Sequence, residues 1–304
     1  MGIISQNLDA LLKQGLSSWV RDKTSLIFLV VTAIIIFVAG IISTFLLAGM
    51  VSASLTSLDI TAIMTYIVLI WAISILEALI LIAIEYVIIK RALELSGKKP
   101  LALSPFRYVM LIILYIASAI YAILSIYKIR MLIIGITGIL VILLGVGLMA
   151  FGYMNVPIML LGLVILFVGI ILITIYLANV ISNSIRLSLG IIAYIEKERK
   201  ITDCLKASWD LTNKEVGGMI LLWIIFALIV MFISIIASLP STIIQLVSTI
   251  GSISNPLAAI SFMYDPVYII AMIPVYIVSA YFSVASGFLL AAMYTILQKN
   301  KKTK

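Results

Sequence analysis

Histidine is absent from this 304-residue sequence, and cysteine occurs once, as Cys204. The first absence excludes every mechanism that needs imidazole, and together the two exclude the familiar zinc and haem sites. With a single thiol no intrachain disulfide can form. Charge is scarce as well: 11% of residues are charged, against about a quarter in an ordinary globular domain. The G-x-x-x-x-G-K-[ST] phosphate loop, the H-E-x-x-H zinc motif, the G-x-S-x-G elbow and the glycine-rich dinucleotide fingerprint are all missing. No catalytic residue, metal ligand set or cofactor is expected.

What fills the sequence instead is apolar, at 64% of residues. Four stretches carry no charge at all: Thr24 to Leu58, Met131 to Ile185, Val216 to Tyr264 and Pro266 to Gln298. A hydrocarbon core about 30 Å thick takes roughly 20 apolar residues as a helix, so each stretch holds at least one membrane span. The runs are continuously apolar rather than alternating, which excludes a transmembrane barrel. The fold class is therefore all-α, a polytopic transmembrane helix bundle. A formal net charge of +8 would suggest nucleic acid in a soluble protein. Here the basic residues flank hydrophobic segments, so the expected partner is the lipid bilayer, with anionic headgroups and a membrane-protein partner as further candidates and no nucleic acid.

Residues 1–23 differ from the rest. Ile4, Leu8, Leu11, Leu12, Leu16 and Trp19 recur at three-to-four-residue steps, with Gln6, Asp9 and Lys13 between them. This predicts an amphipathic helix, either lying in the membrane interface with Trp19 at headgroup level or packed on the protein's own inner surface. A transmembrane domain over 24–298 follows, then a basic tail, 299–304. Spans are expected at Ser25 to Met50, Ile60 to Ile89, Met131 to Gly152, Val156 to Ala178, Val216 to Leu239 and Val267 to Leu297. Val51 to Leu58 reads as a turn, and Asp59 sits where a carboxylate favours the start of the next helix. Residues 182–215 read as a cytoplasmic insert of one or two surface helices. Pro240 to Pro266 reads as an external cap or re-entrant piece.

The twenty Lys and Arg residues fall at the N-terminal segment, the loop after the second span, Lys128 with Arg130, the Arg186 to Lys214 region, and the tail. The positive-inside rule places these regions, and both termini, in the cytoplasm of a cell membrane. An even number of crossings must then separate Arg107 from Arg186, yet three apolar segments lie between them. Gly138, Gly145 and Gly152, and again Gly162 and Gly169, recur at seven-residue spacing. These small faces suit close helix pairing, so Met131 to Ala178 reads as a true hairpin. Tyr108 to Tyr127 is left as the partly inserted or tilted segment. The expected plan is six full spans plus this one, the alternative being seven full spans.

Within the spans the unusual residues are Glu77 and Glu85. They are about 80° apart around a helix. An ionisable group at membrane depth is a functional candidate by default, here a proton-coupled or cation-binding site at Glu77. Its plainer reading is a carboxyl hydrogen-bonded to a neighbouring helix through Ser, Thr or Tyr. Glu85 lies nearer the basic end and reads as a structural ion pair or a snorkelling position. Asn179, Asn183 and Arg186 form a polar stripe at a helix exit, either an orientation anchor or a place where Arg186 holds a lipid phosphate.

Ser184 to Trp223, reading SIRLSLGIIAYIEKERKITDCLKASWDLTNKEVGGMILLW, has a basic helix exit at Arg186, an acidic-basic turn, then Ala207, Ser208 and Trp209 before a glycine-led span. This stretch resembles the segment linking two spans in the glycerophosphodiester phosphodiesterase membrane-domain family and its bacterial and archaeal relatives. The phosphodiesterase activity of that family belongs to a separate soluble domain without a counterpart in these residues, so the resemblance implies a membrane module and no catalysis. Three functions are carried forward: a non-enzymatic scaffold, assembly or membrane-organising module; a transporter or channel using Glu77; and a lipid-modifying enzyme. The Ile- and Lys-rich, His-free composition suits a prokaryote.

Overall fold

The computed structural model describes residues 2–56, 59–124, 129–151, 155–197, 200–251 and 262–302. Among them there is no strand. The α-helices in chain order are α1 (Ile3–Gln6), α2 (Leu8–Leu16), α3 (Lys23–Thr56), α4 (Ile60–Leu95), α5 (Pro105–Ile123), α6 (Ile129–Phe151), α7 (Val156–Glu196), α8 (Ile201–Thr212), α9 (Val216–Gly251) and α10 (Pro266–Lys302). Seven of these, α3 to α7, α9 and α10, are long and apolar enough to cross a membrane. In hydrocarbon a helix is the one open segment that satisfies its own backbone, which explains why the apolar runs extend without interruption. That constraint also carries α3 through the expected turn to Thr56, and α9 straight through Pro240 to Gly251. The re-entrant piece is therefore corrected as far as Gly251; of the rest, 252–261 lie outside the described residues, Phe262–Tyr264 form a short 3-10 turn and Pro266 begins α10.

By contact the chain falls into two compact units, Ile3–Ser104 with Leu221–Lys304, and Pro105–Ile220. In the first unit α3 and α4 form an antiparallel hairpin, with Gly49 leaving room for the ring of Tyr66. The start of α4 is capped as Asp59 suggested: its carboxylate accepts from the amides of Thr61 at 3.0 Å and Ala62 at 3.1 Å. Gly97, at φ 78°, closes the other end in a left-handed turn, with the amide of Lys98 donating to the carbonyl of Leu93 at 3.0 Å. Helix α10 runs antiparallel to α3, with Phe37 against Tyr276 and Phe45 against Tyr264, both ring pairs 5.5 Å apart. It therefore runs parallel to α4, where Ile88 sits over Gly287.

The N-terminal helix settles on its own chain. Ile4, Leu11 and Trp19 are fully buried. Trp19 packs on Tyr281 and Phe288 of α10, its indole donates to the carbonyl of Gly15 at 2.7 Å, and the Tyr281 hydroxyl donates to the carbonyl of Leu16. The reading in which this apolar face enters the lipid is corrected: α10 already covers it.

In the second unit α6 and α7 pair antiparallel along the glycine faces. A Cβ on Gly145 would lie 2.6 Å from the amide nitrogen of Leu166, and one on Gly169 2.8 Å from that of Ile142. Gly152 lies outside the described residues. Gly135 faces Tyr176, whose hydroxyl donates to the carbonyl of Ile123, the last residue of α5, at 2.6 Å. The end of α5 is thus near the level at which α6 begins, while α5 also touches α8, which folds back on the far end of α7. Helix α5 runs from the α8 end toward the start of α6, and α6 continues in the same direction. Helix α7 runs back alongside both. This places Arg107 and Arg186 at the same end of the unit.

The stretch 182–215 is not a solvated insert. Helix α7 continues unbroken to Glu196, and Leu187, Leu189, Ile192 and Ile195 are fully buried, as are Cys204 and Leu205 of α8. In both units the largest closed-off side chains gather at the basic end, where α2 and α8 add a layer. The other halves of α4 and α7 expose Met64, Val68 and Trp71, and Leu160, Val164 and Phe167.

Candidate functional site

Two places hold the polar residues singled out from the sequence, one in each unit. In the first unit Glu77 is half-buried on α4, level with Tyr276 of α10. Tyr276 lies across Gly40 of α3, where a Cβ would fall 2.5 Å from the ring. Its hydroxyl meets the side chain of Thr44 and comes within electrostatic reach of Glu77. Thr44 in turn donates to the carbonyl of Gly40 at 2.8 Å. The void beside this group, lined by Thr44, Tyr268 and Tyr276 among others, measures about 10 Å³, room for about one water molecule. Larger cavities of about 230 and 670 Å³ lie at the basic end, around Gln14 and Ser18, and a third of about 180 Å³ is wholly apolar. Glu77 lines none of these four. The contact between Tyr276 and Thr44 joins α10 to α3, with Glu77 of α4 nearby. Glu85, also half-buried on α4, belongs to the first unit and Arg186 to the second.

In the second unit Asn179, Asn183 and Arg186 project from one face of α7 and are all buried. An exit anchor would reach into water, so the burial of Arg186 departs from that expectation. The guanidinium stacks on the ring of Trp209 of α8, 4.5 Å from its centroid. Ser208, beside that tryptophan, donates its hydroxyl to the backbone carbonyl of Arg186. Among the described residues no carboxylate bridges Arg186. Its Nε and the Oδ1 of Asn183 are both closed off from solvent with no hydrogen-bond partner there. Trp209, which the sequence places only in the stretch with the family resemblance, is brought to Arg186 because α8 buries the face that carries Leu205, Ser208 and Thr212.

Comparison of the chain with protein-family models, with curated proteins and with solved structures found no match.

A further polar junction escaped the sequence reading. Asp22 caps α3, accepting from the amide of Ser25 at 3.0 Å and its hydroxyl at 2.7 Å, and takes the guanidinium of Arg91 from α4 at 2.8 and 3.1 Å. Arg91, and after it Ser25, hold the Asp22 carboxyl well below the usual carboxylate range despite partial burial. Nearby, Lys98 lies over the ring of Tyr294 at 4.6 Å and donates to Gln298, tying the basic loop to α10. Among the described residues no group of three acidic or cysteine side chains is placed to hold a metal ion.

Proposed function

We propose that the chain is a non-enzymatic membrane module, a scaffold or membrane-organising protein that presents a packed basic end on the cytoplasmic side of the cell membrane. The observation that carries this reading is the one-sided packing: closed-off side chains collect at the basic ends of long helices, and apolar side chains stand exposed along the other halves. A conduit needs the opposite, a lined path at membrane depth. The resemblance of Ser184 to Trp223 to a membrane domain separable from its enzyme supports the same reading.

Reconstituted into liposomes, the protein should move neither protons nor monovalent cations above the rate of protein-free vesicles, and Glu77→Gln should leave both that rate and the melting temperature unchanged, because the amide keeps a hydrogen-bonding edge. A proton or cation flux that disappears in Glu77→Gln would replace this proposal with the transporter reading.

The orientation is tested separately. Cysteines placed at the exposed Lys99, Lys206 and Lys301 should all react with an impermeant thiol reagent from the cytoplasmic side alone. The native Cys204 is buried and gives little background. Labelling at Lys206 from outside would mean an odd number of crossings before it and would sink the six-span topology.

A further inference from the structure

We propose that Arg186, held flat by Trp209, is the recognition group of a phosphate oxyanion site at the headgroup level of the bilayer. The argument begins with charge. A guanidinium taken out of water is costly unless an opposite charge compensates it. Arg186 is 9% exposed, and no carboxylate among the described residues stands within ion-pairing distance. Stacking on Trp209 stabilises the cation but uses only the face of the guanidinium. Its in-plane N–H groups remain, and those are the ones that match phosphate oxygens in a fork. Nε is closed off with no partner among the described residues, and the residue keeps 9% of its surface exposed, so part of the fork edge is unmet.

Asn183, one turn earlier on the same face, is 1% exposed and has an oxygen without a partner among the described residues. An amide offers an acceptor to a protonated phosphate oxygen or, turned over, a donor to an ionised one. A water molecule could satisfy one such atom, but it would leave the positive charge uncompensated. Depth supplies the last step. The charge-free part of α7, Val156 to Ile185, is about 45 Å long at 1.5 Å per residue, and a bilayer with its headgroups is about 40–45 Å thick. Arg186 therefore follows directly on a helix long enough to reach the phosphates. The ligand chemistry is a phosphate oxyanion, carried by an anionic lipid or by free phosphate.

The test uses full-length protein in nanodiscs of phosphatidylcholine. One arm measures radiolabelled inorganic phosphate by equilibrium dialysis. The other adds phosphatidic acid in increasing fraction and counts retained lipid by native mass spectrometry. Saturable binding in either arm is expected, at least tenfold weaker in Arg186→Gln. Binding in the first arm assigns free phosphate, and binding in the second alone assigns the lipid headgroup. Should Arg186→Gln fail to fold, Arg186→Lys keeps the charge but not the fork, and about a tenfold loss is expected of it. No saturable binding in either arm, or undiminished binding by the folded variant, overturns the proposal.

Discussion

Gly145→Val is expected to take the α6–α7 hairpin apart. A Cβ at Gly145 would lie 2.6 Å from the amide nitrogen of Leu166 and 2.9 Å from the carbonyl oxygen of Gly162. Both are backbone atoms of the facing helix, so no side-chain rotation relieves the contact, and the helices must separate along their length. Overpacking a core costs about 1–3 kcal/mol when side chains can give way, and a backbone obstruction belongs at or above the top of that range. Because hydrocarbon gives little hydrophobic drive to hold two helices together, lost van der Waals contact between them has no substitute. Thermal unfolding in detergent, followed by circular dichroism, should show a markedly lower midpoint for Gly145→Val. Gly147 is the internal control: nothing lies within 4 Å of a Cβ there. Gly147→Ala should be neutral, or stabilising by up to about 1 kcal/mol from helix propensity. Equal midpoints for Gly145→Val and the unmodified protein would contradict the pairing of α6 with α7.

Asp22→Ala should produce the second large loss, about 2 kcal/mol. Roughly 1 kcal/mol of it is the N-cap of α3, and up to about 1 kcal/mol is the pairing with a partly exposed Arg91, discounted for screening by water. Asp22→Asn keeps an acceptor for the Ser25 amide and should lose about half as much. The two variants also separate the effect of pH. The folded Asp22 carboxyl titrates lower than an unfolded one, so below the ordinary value the unfolded chain binds the extra proton and stability falls with pH. The contribution is whole above about pH 4 and is lost as pH falls from there toward the depressed folded value. The difference in stability between the unmodified protein and Asp22→Asn should shrink across that acid range, and a difference independent of pH would exclude the charged pair as its source.

The parts of this fold legible in the sequence are those whose cause is local. A charge-free run is its own evidence for a helix in lipid, and the glycines spaced by seven announced the faces on which α6 and α7 meet. Charge placement asked for Arg107 and Arg186 on one side, and in the second unit α5 starts at the α8 end, the end where α7 carries Arg186. What stayed hidden depends on residues far apart in the chain. Asp22 and Arg91 are separated by 69 positions, and neither has a neighbour that marks the other. The burial of Arg186 depends on α8 folding back to lay Trp209 against it, which no periodicity within α7 can report. Pro240 misled because a proline's usual meaning assumes water is at hand to take the freed carbonyl. The N-terminal helix was ambiguous because an apolar stripe fits a lipid interface or a groove on α10 equally well.

The confinement of tight packing to one end of each unit bears on membranes of different thickness. Helices of 36 and 41 residues, such as α4 and α7, exceed what a hydrocarbon layer of about 30 Å requires. A thinner bilayer is met by tilting or by thickening the lipid around them, at a fraction of a kcal/mol per Å. Where side chains are closed off, around Trp19 and Tyr86 or around Leu187 and Leu205, tilting would break well-formed contacts. Along the exposed halves there is far less to break. The adjustment therefore falls on the halves away from the basic ends, and the site at Arg186 keeps its geometry as the lipid composition changes.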